Sequence, residues 1–159
     1  MFKNNSQADL LQLSKNVVRE ALVQLIDIDK ANLKDYVFSN KVPNEIKADA
    51  DLIIESILID RLSKSGLSII SEESGLIKAK RESNLKFIID PIDGTVNFVR
   101  NLCSCSISVA LFDGDIPIFG VLGSYPSGIL SWGGKNLGAY MEDIPIRVSS
   151  ITDTQKAVL

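Results

Sequence analysis

At 159 residues and 45% hydrophobic content, the chain can bury a real core, as one ordinary domain or the larger part of two. Its 17 basic and 20 acidic residues give a formal net charge of −3, so it offers no polycationic face for the phosphates of a nucleic acid, and none is expected as a partner. With no histidine, the sequence excludes Ser-His and Cys-His nucleophile pairs and imidazole metal ligands, and leaves carboxylates, hydroxyls, backbone and metal to carry any chemistry.

From Ser6 to Ile26 apolar residues recur at helical spacing (Leu10, Leu11, Leu13, Val17, Val18, Ala21, Leu22, Leu25), with Ser6 placed to cap the start. The opening "MFKNNSQADL" lacks the apolar run of a signal peptide, and no membrane-length apolar run follows, so a cytoplasmic location without membrane contact is expected. Residues 27–48 mix charge, Asn and one Pro without periodicity and are predicted to be a loop. A second helix is predicted over Asp51 to Ser65, with Gly66 closing it.

Beyond Gly66 come six short β-rich runs, "LSIIS", "LKFIID", "CSISVALF", "IPIFGVLGS", "GILSWG" and "IPIRVS", set off by turn signals such as Asp113-Gly114-Asp115 and Pro126-Ser127-Gly128. Two long helices followed by closely spaced strands predict an α+β fold, with the helices layered on a mostly antiparallel sheet of about six strands. Cys103 and Cys105 alternate on one strand face with too few neighbours for a disulfide framework or a zinc site, and are expected to pack. No internal repeat or interdomain linker is visible.

Two segments concentrate acids at the ends of these runs. "IISEESG" ends in Glu72 and Glu73; "FIIDPIDGT" delivers Asp90, after which Pro91 is expected to turn the chain away from the ladder and bring Asp93 two residues later. On neighbouring strands, Glu72, Asp90 and Asp93 would meet at one sheet edge, where mutual repulsion disfavours full ionisation and a divalent cation resolves the conflict. An all-oxygen donor set, to which the Ile92 carbonyl is well placed to add, selects Mg²⁺ first, with Mn²⁺ as a substitute. Gly94 suits close backbone approach, and a helix starting at Thr95 would turn its first N–H groups to an anion such as phosphate. By spacing alone, D-x-x-D-G-T is equally compatible with a calcium-like surface turn or an ordinary strand-to-helix corner.

These residues resemble the inositol monophosphatase-like metal-dependent phosphatases, a family that also holds fructose-1,6-bisphosphatases and 3′(2′),5′-bisphosphate nucleotidases. The likeness rests on "EES" at Glu72-Glu73-Ser74 and "DPIDGTVNF" at Asp90 to Phe98, and extends more weakly through "KADADLIIE", "SISVALF" and "GVLGSYPSGILSWGGKNLGAY". It implies that Glu72, Asp90 and the Ile92 carbonyl hold one metal, that Asp90 and Asp93 serve a second, and that Glu73 is a supporting acid. It implies further that Thr95, with Glu72, orients and deprotonates the attacking water while the N–H groups of Gly94 and Thr95 receive the phosphate. A third metal is implied on an acid at the start of the second helix. Spacing to Glu55 selects Asp51 over Asp49, which spacing to Glu72 would favour, and a plain helix cap is the alternative.

Val96 departs from the second Thr of the family's "DGTTNF". The resemblance also makes residues 1–159 the N-terminal metal- and phosphate-binding domain, with the family's C-terminal domain, which carries a second-metal aspartate, apparently absent. The expected function is Mg²⁺-dependent hydrolysis of inositol monophosphate or a related small sugar or polyol phosphate, with lithium sensitivity and a homodimer implied by the family. The alternatives are a bisphosphate nucleotidase of the same family and a truncated, non-catalytic metal- or partner-binding remnant.

Overall fold

The computed structural model describes residues 6–38, 43–80, 82–100, 102 and 104–156. Helix α1 runs Gln7–Phe38 and begins where Ser6 and Asp9 cap each other: the Ser6 hydroxyl accepts the Asp9 N–H at 3.2 Å, and the Asp9 carboxylate accepts the Ser6 N–H at 3.0 Å. Helix α2 runs Pro43–Leu62, with its proline at the first helical position, where no N–H is needed.

The loop predicted over 27–48 is therefore largely helical; only residues 39–42, which lie outside the described residues, separate the two helices. The stretch from Asp27 to Phe38 contains no Gly or Pro to stop a helix. Fading apolar periodicity in a sequence is a different event from the end of a helix. The predicted close of α2 holds: a 3₁₀ turn over Ser63–Ser65 leads to Gly66 at φ 79°, whose N–H bonds back to Ser63 O at 3.0 Å.

Among the described residues the sheet has eight strands: β1 Ser68–Ser71, β2 Gly75–Ile77, β3 Leu85–Asp93, β4 Cys105–Asp113, β5 Ile116–Tyr125, β6 Ile129–Gly134, β7 Gly138–Met141 and β8 Ile144–Pro145. Their order is β2-β1-β3-β4-β5-β6-β7-β8, antiparallel throughout except for the parallel pair β1 and β3. The six predicted strands become eight because β2 and β7 are too short to show alternation, and the last predicted run shrinks to the two residues of β8.

Both long helices pack on one face of this sheet. The core joins Val18, Leu22 and Leu25 of α1 and Ile54 and Leu58 of α2 to Phe87 and Ile89 of β3, Ile107 and Val109 of β4, and Phe119 and Val121 of β5. From Cys105 to Phe112 the residues of β4 alternate between buried and half-buried, the signature of one face turned to the helices. Gly123 of β5 lets α1 approach: a Cβ there would lie 2.8 Å from Cγ1 of Val18. Among the described residues no helix is long and apolar enough to cross a membrane.

Candidate metal and phosphate site

The parallel pairing of β1 and β3 sets Ser71 opposite Ile89, and the Glu72 N–H extends the ladder by bonding to Ile89 O at 3.2 Å. Glu72 thus stands abreast of Asp90. The expectation that Pro91 ends the strand is not met, because β3 continues through it to Asp93. A bulge makes this possible: Asp90 pairs with Ser108 and Asp93 with Ser106, so three steps on β3 match two on β4. Residues three apart on a regular strand face opposite ways; the extra residue puts Asp90 and Asp93 on the same face, since Ser106 and Ser108 share one.

The consequence is electrostatic. The Asp90 carboxyl is raised from 3.8 to about 7, first by burial, then by the Glu72 carboxyl within hydrogen-bonding reach and its charge, then by the charge of Asp93; a hydrogen bond from the Ile92 backbone opposes this. One oxygen of Asp90, Oδ1, is buried with no hydrogen-bond partner among the described residues. A buried, unpartnered carboxylate oxygen beside a second acid fits the coordination chemistry of a hard cation, and the nearby Ile92 carbonyl adds an uncharged oxygen. Among the described residues, however, no three acidic side chains converge closely enough to hold a metal ion by themselves.

Gly94 follows β3 at φ 87° and ψ 37°, a left-handed conformation at the cap of the short helix α3, Thr95–Val99. A Cβ on it would lie 2.9 Å from the carbonyl oxygen of Ser104, so the position is closed to any side chain. The Asn97 and Phe98 N–H groups bond to Gly94 O at 2.8 and 3.1 Å. The Thr95 hydroxyl donates to the Ile92 carbonyl at 2.9 Å, linking two residues named in the sequence. A cleft of about 710 Å³ opens beside Asp93 and Gly94, with Ser104, Ser106, Ser124 and Ser127 in its walls. Cys105, which also borders it, is buried as expected, whereas Cys103 lies outside the described residues.

Asp51 does not start a helix. With α2 beginning at Pro43 it lies two turns inside, which removes the helix-cap reading; it is 5% exposed, while Asp49 faces solvent. One turn later, Glu55 is 4% exposed and gathers three donors: the Ser71 hydroxyl at 2.5 Å, the Ser74 N–H at 2.9 Å and the Ser74 hydroxyl at 2.7 Å. Burial is the largest single influence on its carboxyl and raises it, but the bonds from Ser71 and Ser74 outweigh burial and hold it below the usual range. Glu55 entered the sequence reading only as a spacing mark for Asp51. Its position one helical turn after another acid was visible, but the serines that it binds lie 16 and 19 residues further along and meet it only in the fold. Glu73 is exposed in the turn between β1 and β2.

Residues 6–159 match the inositol monophosphatase family. The inositol-1-monophosphatase of Bacillus subtilis (strain 168) is 28% identical over 150 residues, 93% of this chain and 56% of that protein. A Nus factor SuhB from Pasteurella multocida (strain Pm70) is 36% identical over 118 residues, 74% of this chain and 43% of that protein. Inositol monophosphatase-II of Staphylococcus aureus MSSA476 superposes with a TM-score of 0.76 at 20% identity, over 91% of this chain and 52% of that one, a likeness of fold. The chain spans about half the length of the curated relatives it matches.

Proposed function

The chain belongs to the inositol monophosphatase family, and on that premise we propose that it supplies the metal- and phosphate-binding part of a Mg²⁺-dependent phosphomonoesterase for inositol monophosphate or a related small sugar or polyol phosphate. The observation that carries this reading is Asp90, half-buried beside the exposed Glu72, with one carboxylate oxygen buried and unpartnered among the described residues. Glu72, Asp90 and the Ile92 carbonyl would hold the first Mg²⁺, Asp90 and Asp93 a second, and Asp51 a weaker third. Bound there, the cation lowers the pKa of water and neutralises charge on the phosphoryl oxygens.

The chain's own groups do the rest. The Thr95 hydroxyl, which donates its hydrogen bond to Ile92 O, keeps lone pairs with which to accept a hydrogen bond from the attacking water, and Glu72 would take the water's proton. The N–H groups of Gly94 and Thr95 precede the α3 hydrogen-bond pattern and are donors for phosphate oxygens. The serine-walled cleft beside Gly94 supports a leaving group rich in hydroxyls.

The test is Mg²⁺-dependent phosphate release from inositol 1-phosphate, fructose 1,6-bisphosphate and adenosine 3′,5′-bisphosphate, by the chain alone and fused to the part of the Bacillus subtilis relative that it does not match. Preferred turnover of inositol 1-phosphate supports the reading, and preference for adenosine 3′,5′-bisphosphate replaces it with the nucleotidase branch. Release from none of the three contradicts it. One observation favours a second reading, metal binding without catalysis: no three acids converge on one point among the described residues. Saturable Mn²⁺ binding with no phosphate release from either preparation would select it.

A further inference from the structure

The third residue of the "EES" segment has no part in the chemistry above, and neither does the buried Glu55. They bond to each other. Glu55 Oε1 accepts both the Ser71 hydroxyl and the Ser74 N–H, and Oε2 accepts the Ser74 hydroxyl, so one carboxylate of α2 grips the chain on either side of Glu72 and Glu73. Ser71 is the last residue of β1 and Gly75 the first of β2, so the gripped residues bracket the whole turn that carries the two acids.

We infer that Glu55 is the positioning residue of the metal site: its clasp on Ser71 and Ser74 fixes the exposed 72–74 turn so that the Glu72 carboxyl faces Asp90. The inference rests on the metal role proposed for Glu72. An exposed turn between two short strands has little packing of its own to hold a side chain in place. Glu55 is anchored in a helix whose neighbouring residues Ile54 and Leu58 are fully buried, so it transmits the rigidity of the core to the turn. The charge of Glu55 is directed at serine donors and not at the cation, and this separates positioning from ligation. In Glu55→Gln the amide oxygen can still accept the two contacts of Oε1, and the amide NH₂ can donate to the Ser74 hydroxyl oxygen.

The test is Mn²⁺ binding by the 159-residue chain, followed by the loss of the free-ion paramagnetic signal, with circular dichroism as a check on folding. Glu55→Ala should weaken binding by about tenfold or more, Ser74→Ala by a smaller factor, and Glu55→Gln should remain within about threefold of the unaltered chain. If Glu55→Ala does not fold, the ordering of Ser74→Ala and Glu55→Gln decides. Binding by folded Glu55→Ala or by Ser74→Ala equal to that of the unaltered chain overturns the inference. So does a loss in Glu55→Gln as large as that in Glu55→Ala, which would mean that the charge itself is used. Absence of Mn²⁺ binding by the unaltered chain removes the premise about Glu72, and this inference with it.

Discussion

The Glu72 N–H bonds to Ile89 O at 3.2 Å, one residue beyond the last paired position of β1. That single bond carries the parallel register past the strand end and fixes Glu72 beside Asp90, the residue on which the site's electrostatics turn. Backbone pairing brings the two residues abreast, and the side chains then set how closely their carboxyls meet.

Without metal, Asp90 binds its proton more tightly folded, at about 7, than unfolded, at 3.8. The folded state therefore holds more protons between these values, and this group's contribution to stability falls as pH rises from about 4 through about 7. Asp90→Asn, which imitates the protonated form, should gain on the unaltered metal-free chain across that window and hold a constant advantage above it. Urea denaturation of both at about pH 5 and about pH 8 measures the difference. A difference independent of pH would contradict the assignment.

Gly94→Ala should destabilise the chain by about 1–3 kcal/mol, combining left-handed strain with the contact on Ser104 O. A urea midpoint lowered at unchanged slope would show it. An unchanged midpoint would mean that the loop yields.

Asp93 is exposed, so Asp93→Asn should leave stability within about 0.5 kcal/mol while weakening divalent-cation binding and, in an active preparation, turnover. Thermal melts and phosphate-release rates on the same samples separate the two effects. Unchanged turnover would remove Asp93 from the site.

Core and surface should respond differently. Phe87→Ala, at a fully buried position, should cost about 3–5 kcal/mol. Arg61→Ala breaks the exposed link from α2 to Glu20 of α1, at 2.7 Å, and should cost far less, because solvent screens the pair. Chemical denaturation of both variants tests whether burial against the sheet outweighs this helix-to-helix ion pair.

Much of this was legible in the sequence because the elements were long or their punctuation strict. Ser6 and Gly66 marked a helix start and a helix end, and β3, β4 and β5 showed apolar runs bounded by turns. What stayed hidden had physical reasons. The second half of α1 lost its apolar stripe without losing its helix, and β2 and β7 have too few residues to alternate. Pro91 signalled a break that the bulge against β4 absorbed. The acids of the proposed site stood out as types and spacings. Glu55 was not, since its role depends on serines that are distant in sequence and meet it only after α2 packs beside β1.

The most direct measurement is calorimetric titration of Mg²⁺ into the unaltered chain and Asp90→Asn near pH 7, repeated in two buffers of different ionisation enthalpy. The prediction is saturable binding by the unaltered chain, accompanied by release of the proton that Asp90 holds, and loss of both in Asp90→Asn. Saturable binding that is the same in the two proteins, or no binding in either, would contradict a cation site built on Glu72 and Asp90.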